Sequence, residues 1–191
     1  MVWYCLVAGI VALAGFLVWR QWFQTYHLAT VHQGVLYRDG NRGLREFANA
    51  LRQVRPRTIV CLIDDKELSD GRKPQFQQEL TYLASQGIAV ERIAIPLGGW
   101  PTGDNVRQFL AVVSDKSRQP VLVHCAQGVR RTGMLVAAYQ QSVLGYDDAK
   151  AKSAILTFGH SRRSIGDVEK FIELYDPKQR EMTQSLPMSV E

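Results

Sequence analysis

A cysteine and an arginine separated by five residues stand out in this sequence, within the run H-C-A-Q-G-V-R-R-T-G at residues 124–133. Cys125 could supply a thiolate, and the backbone N–H groups of a short loop can form a nest for an anion. Arg131 could fold back and grip two oxygens of a phosphate with its planar guanidinium. The spacing therefore indicates a phosphate-binding loop with a nucleophilic sulfur at its base.

The residues on either side predict how this loop is positioned. The preceding run V-L-V-H is typical of a buried strand, and the following run M-L-V-A-A-Y is typical of a helix. A strand, loop and helix in this order place the helix N-terminus behind the loop, where its partial positive charge favours both a thiolate and a phosphate. The alternative is an unreactive buried cysteine at the end of a strand.

The loop resembles the signature H-C-x5-R-[ST] of the cysteine-dependent protein tyrosine phosphatases, and it is most similar to the small dual-specificity branch. The stretch V-H-Q-G-V-L-Y-R-D-G, followed by a helix and T-I-V-C-L, is similar to the opening of bacterial domains of this kind. The resemblance extends over residues 34–175, although only the signature loop is residue-specific. It implies hydrolysis of phosphotyrosine, with phosphoserine and phosphothreonine as further substrates, through a cysteinyl-phosphate and without a metal or cofactor.

The resemblance implies a role for each residue of the loop. Cys125 would be the nucleophile, and Arg131 would bind the phosphate and stabilise the charge of the transition state. Thr132 would donate a hydrogen bond to the sulfur, His124 would orient the loop, and Gly133 would let the helix pack closely. The residues that would bind the substrate phosphate are Ala126, Gln127, Gly128, Val129, Arg130 and Arg131.

Two features of the loop leave alternatives open. Phosphoinositide-directed relatives often carry lysines inside this loop, whereas Ala126, Gln127 and Val129 occupy those positions here, which favours phosphoprotein substrates. Arg130 would add a second charge to the loop, or it would be a solvated surface residue.

The proton donor for the leaving group is not evident. The resemblance implies an aspartate in a mobile loop upstream of the cysteine, but residues 93–98 contain no acid. Asp104, in the run W-P-T-G-D-N, is the first candidate, although its position at the start of a predicted helix also suits an N-cap. Asp64 and Asp65, which follow a predicted strand, are alternatives, and a site without a dedicated acid is another.

Strands alternate with helices along the chain, which predicts a three-layer α/β/α domain with a mostly parallel central sheet. In such sheets ligands bind outside the carboxyl ends of the strands, where the cysteine loop is expected. Strands are predicted at residues 35–38, 58–63, 88–95 and 121–124. Helices are predicted at residues 44–54, 74–86 and 106–113, after the cysteine loop, and at residues 147–158 and 167–175.

The N-terminal residues 1–19 carry no charged side chain and are long enough to span a bilayer. Trp3, Tyr4, Trp19 and Trp22 would lie at the membrane interfaces, and Arg20 would keep the following domain on the cytoplasmic side. A cleaved signal peptide and a buried core helix are the alternatives. The predicted organisation is a membrane helix at 1–20, a juxtamembrane linker at 21–33, a phosphatase domain at 34–176 and a flexible tail at 177–191.

Composition limits the remaining classes of function. The 191 residues suffice for one domain, and a net charge of +5 without a basic stripe gives little support for nucleic acid binding. The three cysteines do not form a disulfide framework, and no group of cysteines and histidines has the spacing of a metal site. The expected partners are a phosphorylated protein and the membrane. A rhodanese-like sulfurtransferase and a phosphate-binding adaptor remain the alternative functions.

Overall fold

The computed structural model describes residues 2–161 and 165–183. A five-stranded sheet forms the centre of the fold, with the spatial order β1-β2-β5-β3-β4. Strand β1 is antiparallel to β2, and the other neighbouring strands are parallel. The strands are β1 (Ala29–His32), β2 (Leu36–Gly40), β3 (Thr58–Cys61), β4 (Ala89–Arg92) and β5 (Val121–Cys125). The prediction of an α/β fold with a mostly parallel sheet is confirmed.

Helices cover both faces of this sheet. Phe47 of α2 and Leu83 of α4 pack with Ile59 and Leu122 on one face. The other face packs against the apolar side chains of α5, α6 and α8. The helices are α1 (Val2–Trp22), α2 (Leu44–Val54), α3 (Asp65–Ser69), α4 (Gln75–Ser85), α5 (Gly103–Ser114), α6 (Arg130–Ser142), α7 (Asp148–Ser153) and α8 (Gly166–Leu174).

The central strands bring the chemistry-bearing residues to one edge of the sheet. Strands β3 and β5 are buried along their whole length, as expected for parallel strands covered on both faces. In the register of the sheet, Cys125 lies beside Gly40, and His124 lies beside both Asp39 and Cys61. Successive side chains of a strand point to opposite faces, so His124 and Cys125 belong to different layers.

Several elements differ from the predicted organisation. Helix α2 has the predicted bounds, but β1 lies inside the segment predicted as a linker, so the folded region begins before Gly34. Helix α3 lies in a segment for which no helix is predicted. A short hairpin of β6 (Tyr175–Asp176) and β7 (Glu181–Met182) extends past residue 176. The predicted tail beyond residue 183 lies outside the described residues.

Helix α1 is exposed along its length. Its apolar stretch Trp3–Trp22 has a mean hydropathy of 1.7 and is not buried at all, so it is not a core helix. By length and composition it could cross a membrane, and a signal sequence near an N-terminus has the same properties. The end of α1 and the segment after it are attached to α2, because Asn49 Nδ2 donates to the carbonyls of Gln21 (3.2 Å) and Gln24 (2.8 Å).

Candidate active site

Cys125 lies at the end of β5 and forms part of the wall of a cavity of about 220 Å³. The side chain is only 3% exposed. Residues 126–129 form a loop over the sulfur, and α6 begins at Arg130. The Gly128 N–H donates to the Cys125 Sγ at 3.2 Å. The cavity is lined by Glu67, Lys73, Leu97, Gly98, Cys125, Ala126, Gln127, Arg130 and Arg131.

The carbonyl groups of this loop are held on its outer side. The Asn41 N–H donates to the Ala126 carbonyl at 3.0 Å, and Arg38 Nη2 donates to the carbonyls of Gly128 (2.6 Å) and Val129 (3.2 Å). In a trans peptide the C=O and the next N–H point in opposite directions. Each outward carbonyl therefore turns the following N–H toward the interior of the loop, which builds an anion nest.

Arg38 is a buried cation of this outer layer. Arg38 is 2% exposed. Burial lowers the pKa of its guanidinium to about 10, although the nearby Cys125 acts to raise this pKa. The side chain is therefore still charged at neutral pH. Its charge strengthens the hydrogen bonds to the loop carbonyls.

Glycine is required at two places where the loop meets β2. Gly128 has a φ of +69°, and a Cβ there would lie 2.2 Å from the carbonyl oxygen of Asp39. A Cβ on Gly40 would lie 2.6 Å from the Gln127 carbonyl oxygen. The backbone of the loop therefore packs directly on the backbone of β2, which fixes its position relative to the sheet.

Arg131 is held in place by a carboxylate of α3, the short helix that follows β3. Its Nη1 and Nη2 donate to the two oxygens of Glu67 at 2.5 and 3.1 Å, and Nη1 also donates to the Ile95 carbonyl at 3.1 Å. Burial disfavours the charged guanidinium, but Glu67 and Cys125 outweigh it and raise the pKa of Arg131. Asp64 caps α3 by accepting the Glu67 N–H at 2.7 Å, which positions Glu67.

The surroundings of Cys125 favour the thiolate. Burial alone would raise the pKa of the thiol, but the charge of Arg131, the hydroxyl and N–H of Thr132 and the Gly128 N–H outweigh it. The pKa of Cys125 is therefore lowered. Within the described part of the chain, the buried Thr132 Oγ1 has no hydrogen-bond partner in the resting structure, which leaves its hydroxyl available to the sulfur.

Arg130 connects three elements around the cavity and is not a solvated surface residue. Its Nε lies 2.5 Å from a carboxylate oxygen of Asp167, and its guanidinium donates to the carbonyls of Gly98 (2.8 Å) and Gly99 (3.3 Å). These contacts tie the start of α6 to α8 and to the loop after β4. Gly133 lies against Val168 of α8, where an added Cβ would come within 3.2 Å.

His124 takes part in a buried ionic cluster on the opposite face of β5. Its Nε2 lies 2.8 Å from Glu79 Oε1, and both side chains are buried. Burial would lower the pKa of His124, but Glu79 outweighs this effect and raises it well above its ordinary value. Asn41 Nδ2 donates to the other Glu79 oxygen, and the Asn41 N–H holds the carbonyls of Cys125 and Ala126. The cluster is thereby linked to the start of the loop.

One group among the described residues has the donor atoms of a metal site, because donor atoms of Cys61, Glu79 and His124 lie within 4.8 Å of one another. Zinc ligands at about 2.0–2.1 Å in tetrahedral geometry stand more than 3 Å apart. The 2.8 Å between His124 Nε2 and Glu79 Oε1 is shorter than this and fits direct contact between two oppositely charged groups. The arrangement is therefore that of an ion pair.

Asp104 is not one of the described residues that line the cavity. Its side chain is 91% exposed and pairs with Arg107 at 2.6 Å. The N-cap of α5 is Thr102, which forms a capping box with Asn105, so the N-cap interpretation of Asp104 is wrong. The assignment of Asp104 as proton donor stays a prediction.

The alternative acids also have other partners. Asp64 accepts from the N–H groups of Glu67 and Leu97, the latter at 3.3 Å. Asp65 is exposed and pairs with Arg92 at 2.9 Å. Among the described residues that line the cavity, Glu67 is the only carboxylate, and both of its oxygens contact Arg131.

The residues that support the loop could not be identified from the sequence. Arg38 and Asn41 act from β2 and its exit, and Glu79 acts from α4. No local pattern distinguishes them from other polar residues. Glu67 alone had a signal, because it follows Asp64 and Asp65 at the carboxyl end of a predicted strand, where sites in such sheets lie.

This fold and loop define a cysteine-dependent phosphatase domain, and sequence comparison agrees with that class. Residues 35–181 match the family model described as PTP-NADK, a DSP-PTPase phosphatase fused to NAD+ kinase. Since the match covers most of the chain, the chain belongs to this DSP-PTPase family. The resemblance stated from the signature loop is confirmed.

Three similar proteins illustrate the relationship. The inositol diphosphatase DSP1 of Oryza sativa subsp. japonica is 27% identical over 155 residues, which are 78% of this chain and 64% of that protein. The chain thus spans slightly less than two thirds of this relative. The catalytic core of the S. cerevisiae PP-IP phosphatase SIW14, in complex with citrate, has a TM-score of 0.65 at 20% identity. The match covers 81% of this chain and 88% of the SIW14 chain. TpbA of P. aeruginosa, in complex with pTyr, has a TM-score of 0.59 at 21% identity, and the match covers 76% of this chain and 83% of the TpbA chain. At these identities the two structures show a shared fold.

Proposed function

We propose that this protein is a phosphatase that transfers a phosphoryl group from its substrate to Cys125 and then to water. The observation that carries the proposal is the position of the Cys125 sulfur, which lies at the base of an N–H nest, beside an arginine fixed by Glu67. These neighbours also lower the pKa of the thiol. A neutral ligand would not need this concentration of positive charge. Family membership makes the sulfurtransferase alternative unnecessary.

The chemistry would proceed in two displacements. In the first, the Cys125 thiolate attacks phosphorus, an S–P bond forms, and the P–O bond to the leaving group breaks. In the second, water attacks phosphorus, the S–P bond breaks, and the thiolate returns as inorganic phosphate departs. Arg131 and the inward N–H groups would stabilise the charge on the phosphoryl oxygens in both steps. The Thr132 hydroxyl would stabilise the departing sulfur in the second.

The carboxylates around the cavity bear on the choice of substrate. Glu67, the one carboxylate among the described lining residues, is occupied by Arg131. Without a proton donor the leaving group departs as an anion, which favours a group of low pKa. A phenol such as tyrosine has a pKa of about 10, whereas an alkyl alcohol is closer to water at about 16. We therefore favour phosphotyrosine over phosphoserine and phosphothreonine.

A phosphoanhydride is the second candidate substrate. Its leaving group is a phosphate, whose second pKa is about 6, so it needs still less assistance from an acid. Lys73 and Arg130 line the same cavity, where they pair with Glu67 (3.8 Å) and Asp167 (2.5 Å), and a second phosphate could compete for these two cations. A related rice protein is named an inositol diphosphatase, which is consistent with such a substrate.

We also propose that α1 anchors the domain to a membrane, with the active site on the cytoplasmic side. Arg20 and the later basic residues follow the apolar stretch, as in segments that keep their C-terminal side in the cytoplasm. A reducing cytoplasm would also preserve the Cys125 thiol. Substrates carried by membrane-associated proteins or soluble phosphates near the membrane would both reach this site.

The test uses the full chain in detergent micelles under reducing conditions. Phosphate release is followed from a phosphotyrosine peptide, the matching phosphoserine peptide and a diphosphorylated inositol, for the wild type and Cys125→Ser. We expect turnover of the first or third substrate, little of the second, and none with Cys125→Ser. Binding of vanadate without turnover of any substrate, with the thiol confirmed as reduced, would contradict the proposal and support the adaptor alternative. The ratio of the first rate to the third decides between the two substrate classes.

A further inference from the structure

The segment between α1 and β1 reaches the signature loop directly. His27 lies five residues after the end of α1 at Trp22. Its Nδ1 is 2.7 Å from the carbonyl oxygen of Gln127, in the middle of the loop. Since a carbonyl only accepts hydrogen bonds, Nδ1 must carry the proton. This contact links the segment predicted as a linker to the candidate active site across 100 positions of sequence.

The peptide that His27 holds is the one that contacts the nucleophile. The Gln127 carbonyl and the Gly128 N–H belong to the same peptide unit, and that N–H donates to the Cys125 Sγ at 3.2 Å. Because the two groups of a trans peptide point in opposite directions, fixing the carbonyl outward fixes the N–H toward the sulfur. A hydrogen bond at one end of a peptide also strengthens the one at the other end.

His27 is itself held in an unusual conformation. Its φ of +65° lies in the left-handed region, which is uncommon for residues with a Cβ and often accompanies a functional constraint. The imidazole stacks between Tyr26 and Phe158, with ring centroids at 4.0 and 4.5 Å. The Tyr26 carbonyl accepts the Gly40 N–H at 3.0 Å, which attaches this segment to β2 beside the loop.

The outer supports of the loop are complete only with this residue. The carbonyls of Ala126, Gly128 and Val129 are held by Asn41 and Arg38. The Gln127 carbonyl lies between them in the chain, and His27 is its partner. Without His27 this peptide is the one that could rotate and withdraw its N–H from the sulfur, since Gly128 imposes little conformational restraint.

We propose that His27 is a positioning residue of the active site, which orients the Gln127–Gly128 peptide toward the Cys125 thiolate. The segment that follows the apolar helix is then a structural part of the catalytic loop. The effect of His27 on the rate rests on the proposed phosphatase function. Its effect on the pKa of the Cys125 thiol can be measured without turnover.

The experiment compares His27→Asn with His27→Gly in the full chain. Asparagine and glycine both tolerate the left-handed backbone at position 27, but only asparagine carries a hydrogen-bond donor, its Nδ2, near the position of the histidine Nδ1. We expect His27→Gly to lower kcat by about 3- to 10-fold, as for one lost hydrogen bond, and His27→Asn to restore much of it. The Cys125 thiol pKa should rise in His27→Gly and less in His27→Asn. It is read from the pH dependence of alkylation by iodoacetamide, with the Cys125 peptide followed by mass spectrometry.

His32→Ala is the matched control, because it removes another histidine of the N-terminal segment, whose Nδ1 contacts the Tyr139 hydroxyl away from the loop. It should lower the melting temperature without moving the thiol pKa. The inference is overturned if His27→Gly keeps the wild-type thiol pKa, or if His27→Asn and His27→Gly raise it equally. Since alkylation needs no substrate, an inactive wild type would defeat the proposed function and still leave the role of His27 decided by the pKa.

Discussion

Cys125 and His124 are neighbours on β5, equally buried and on opposite faces of the sheet, yet their acidities move in opposite directions. The pKa of Cys125 is lowered and that of His124 is raised, although burial pushes each of them the other way. On the Cys125 face the outweighing groups are a cation and N–H or O–H donors. On the His124 face the largest such group is the Glu79 carboxylate.

The difference shows that burial does not determine the direction of the pKa shift of Cys125 or of His124. The charged and hydrogen-bonding neighbours of each side chain determine it. The layer of Cys125 is arranged to hold an anion, either the thiolate or a phosphate. The layer of His124 is a charge-compensated cluster, where Asp39 has its pKa raised well above its ordinary value, mainly by burial. We therefore expect substitutions on the first face to affect catalysis and those on the second to affect stability.

The largest effect is expected for Glu67→Gln on the catalytic face. The variant removes the charge that fixes Arg131, and the guanidinium would then lose its fork geometry toward the phosphate. We expect kcat/KM to fall by about 100- to 1000-fold, as for the loss of one preorganised transition-state donor. Steady-state kinetics on a phosphotyrosine peptide measures it.

Asp65→Asn is the control for this variant, because Asp65 lies on the same short helix but is exposed and pairs with Arg92. It should change kcat/KM by no more than about 2-fold. Equal losses in the two variants would mean that α3 is merely disturbed, and the role of Glu67 in holding Arg131 would be wrong.

A smaller loss is expected for Thr132→Val, which keeps the shape of the side chain and removes the hydroxyl next to the sulfur. The reacting form is the thiolate, so the rate rises with pH through the Cys125 pKa. Because this pKa is lowered, the rising limb should lie below the ordinary range of a thiol. Thr132→Val should move the limb to higher pH and lower kcat by about 10-fold. An unchanged limb would remove Thr132 from the set of groups that stabilise the thiolate.

On the opposite face, Glu79→Gln should affect stability more than rate. The raised pKa of His124 gives a stabilisation that is complete below its unfolded value of about 6.5 and is lost as pH rises through the folded pKa. Glu79→Gln leaves the buried, charged His124 without its carboxylate, which should lower the free energy of unfolding by about 3 kcal/mol. We expect the melting temperature of the parent to fall as pH rises from about 6.5, the ordinary pKa of histidine, through the raised pKa of His124, and to fall less in Glu79→Gln.

This comparison is best made in a Cys125→Ser background, because a thiol with a lowered pKa acts in the opposite direction, adding stability as pH rises. Asp39, whose pKa is raised mainly by burial and least by Glu79, acts in the same direction as His124 from about pH 4 upward in both proteins. An identical pH dependence with and without Glu79 would contradict the ion pair as the cause of the shift at His124.

The residues proposed to be catalytic could be named from the sequence, whereas the residues that support them could not. Cys125, Arg131 and Thr132 lie within eight residues of one another in a single motif, and the run V-L-V-H predicts the strand beneath them. Glu67, Arg38 and His27 act on that motif from 64, 90 and 100 residues away, and only the fold brings them there. Helix α3 and strand β1 were missed for a related reason, since four or five residues are too few to show a period.

The smallest effect is expected where the sequence offered its first candidate for a proton donor. Asp104 is exposed, pairs with Arg107, and lies outside the residues that line the cavity. If the leaving group departs without a donor, Asp104→Asn should change kcat on a phosphotyrosine peptide by no more than about 2-fold, as for an exposed ion pair. If Asp104 instead moves into the site on substrate binding and acts as the general acid, Asp104→Asn should lower kcat by about 10²–10⁴-fold. The loss of kcat would then be greater for phosphoserine than for phosphotyrosine. Measuring kcat of the variant on both peptides separates these outcomes, because a surface ion pair cannot change the dependence of the rate on the leaving group.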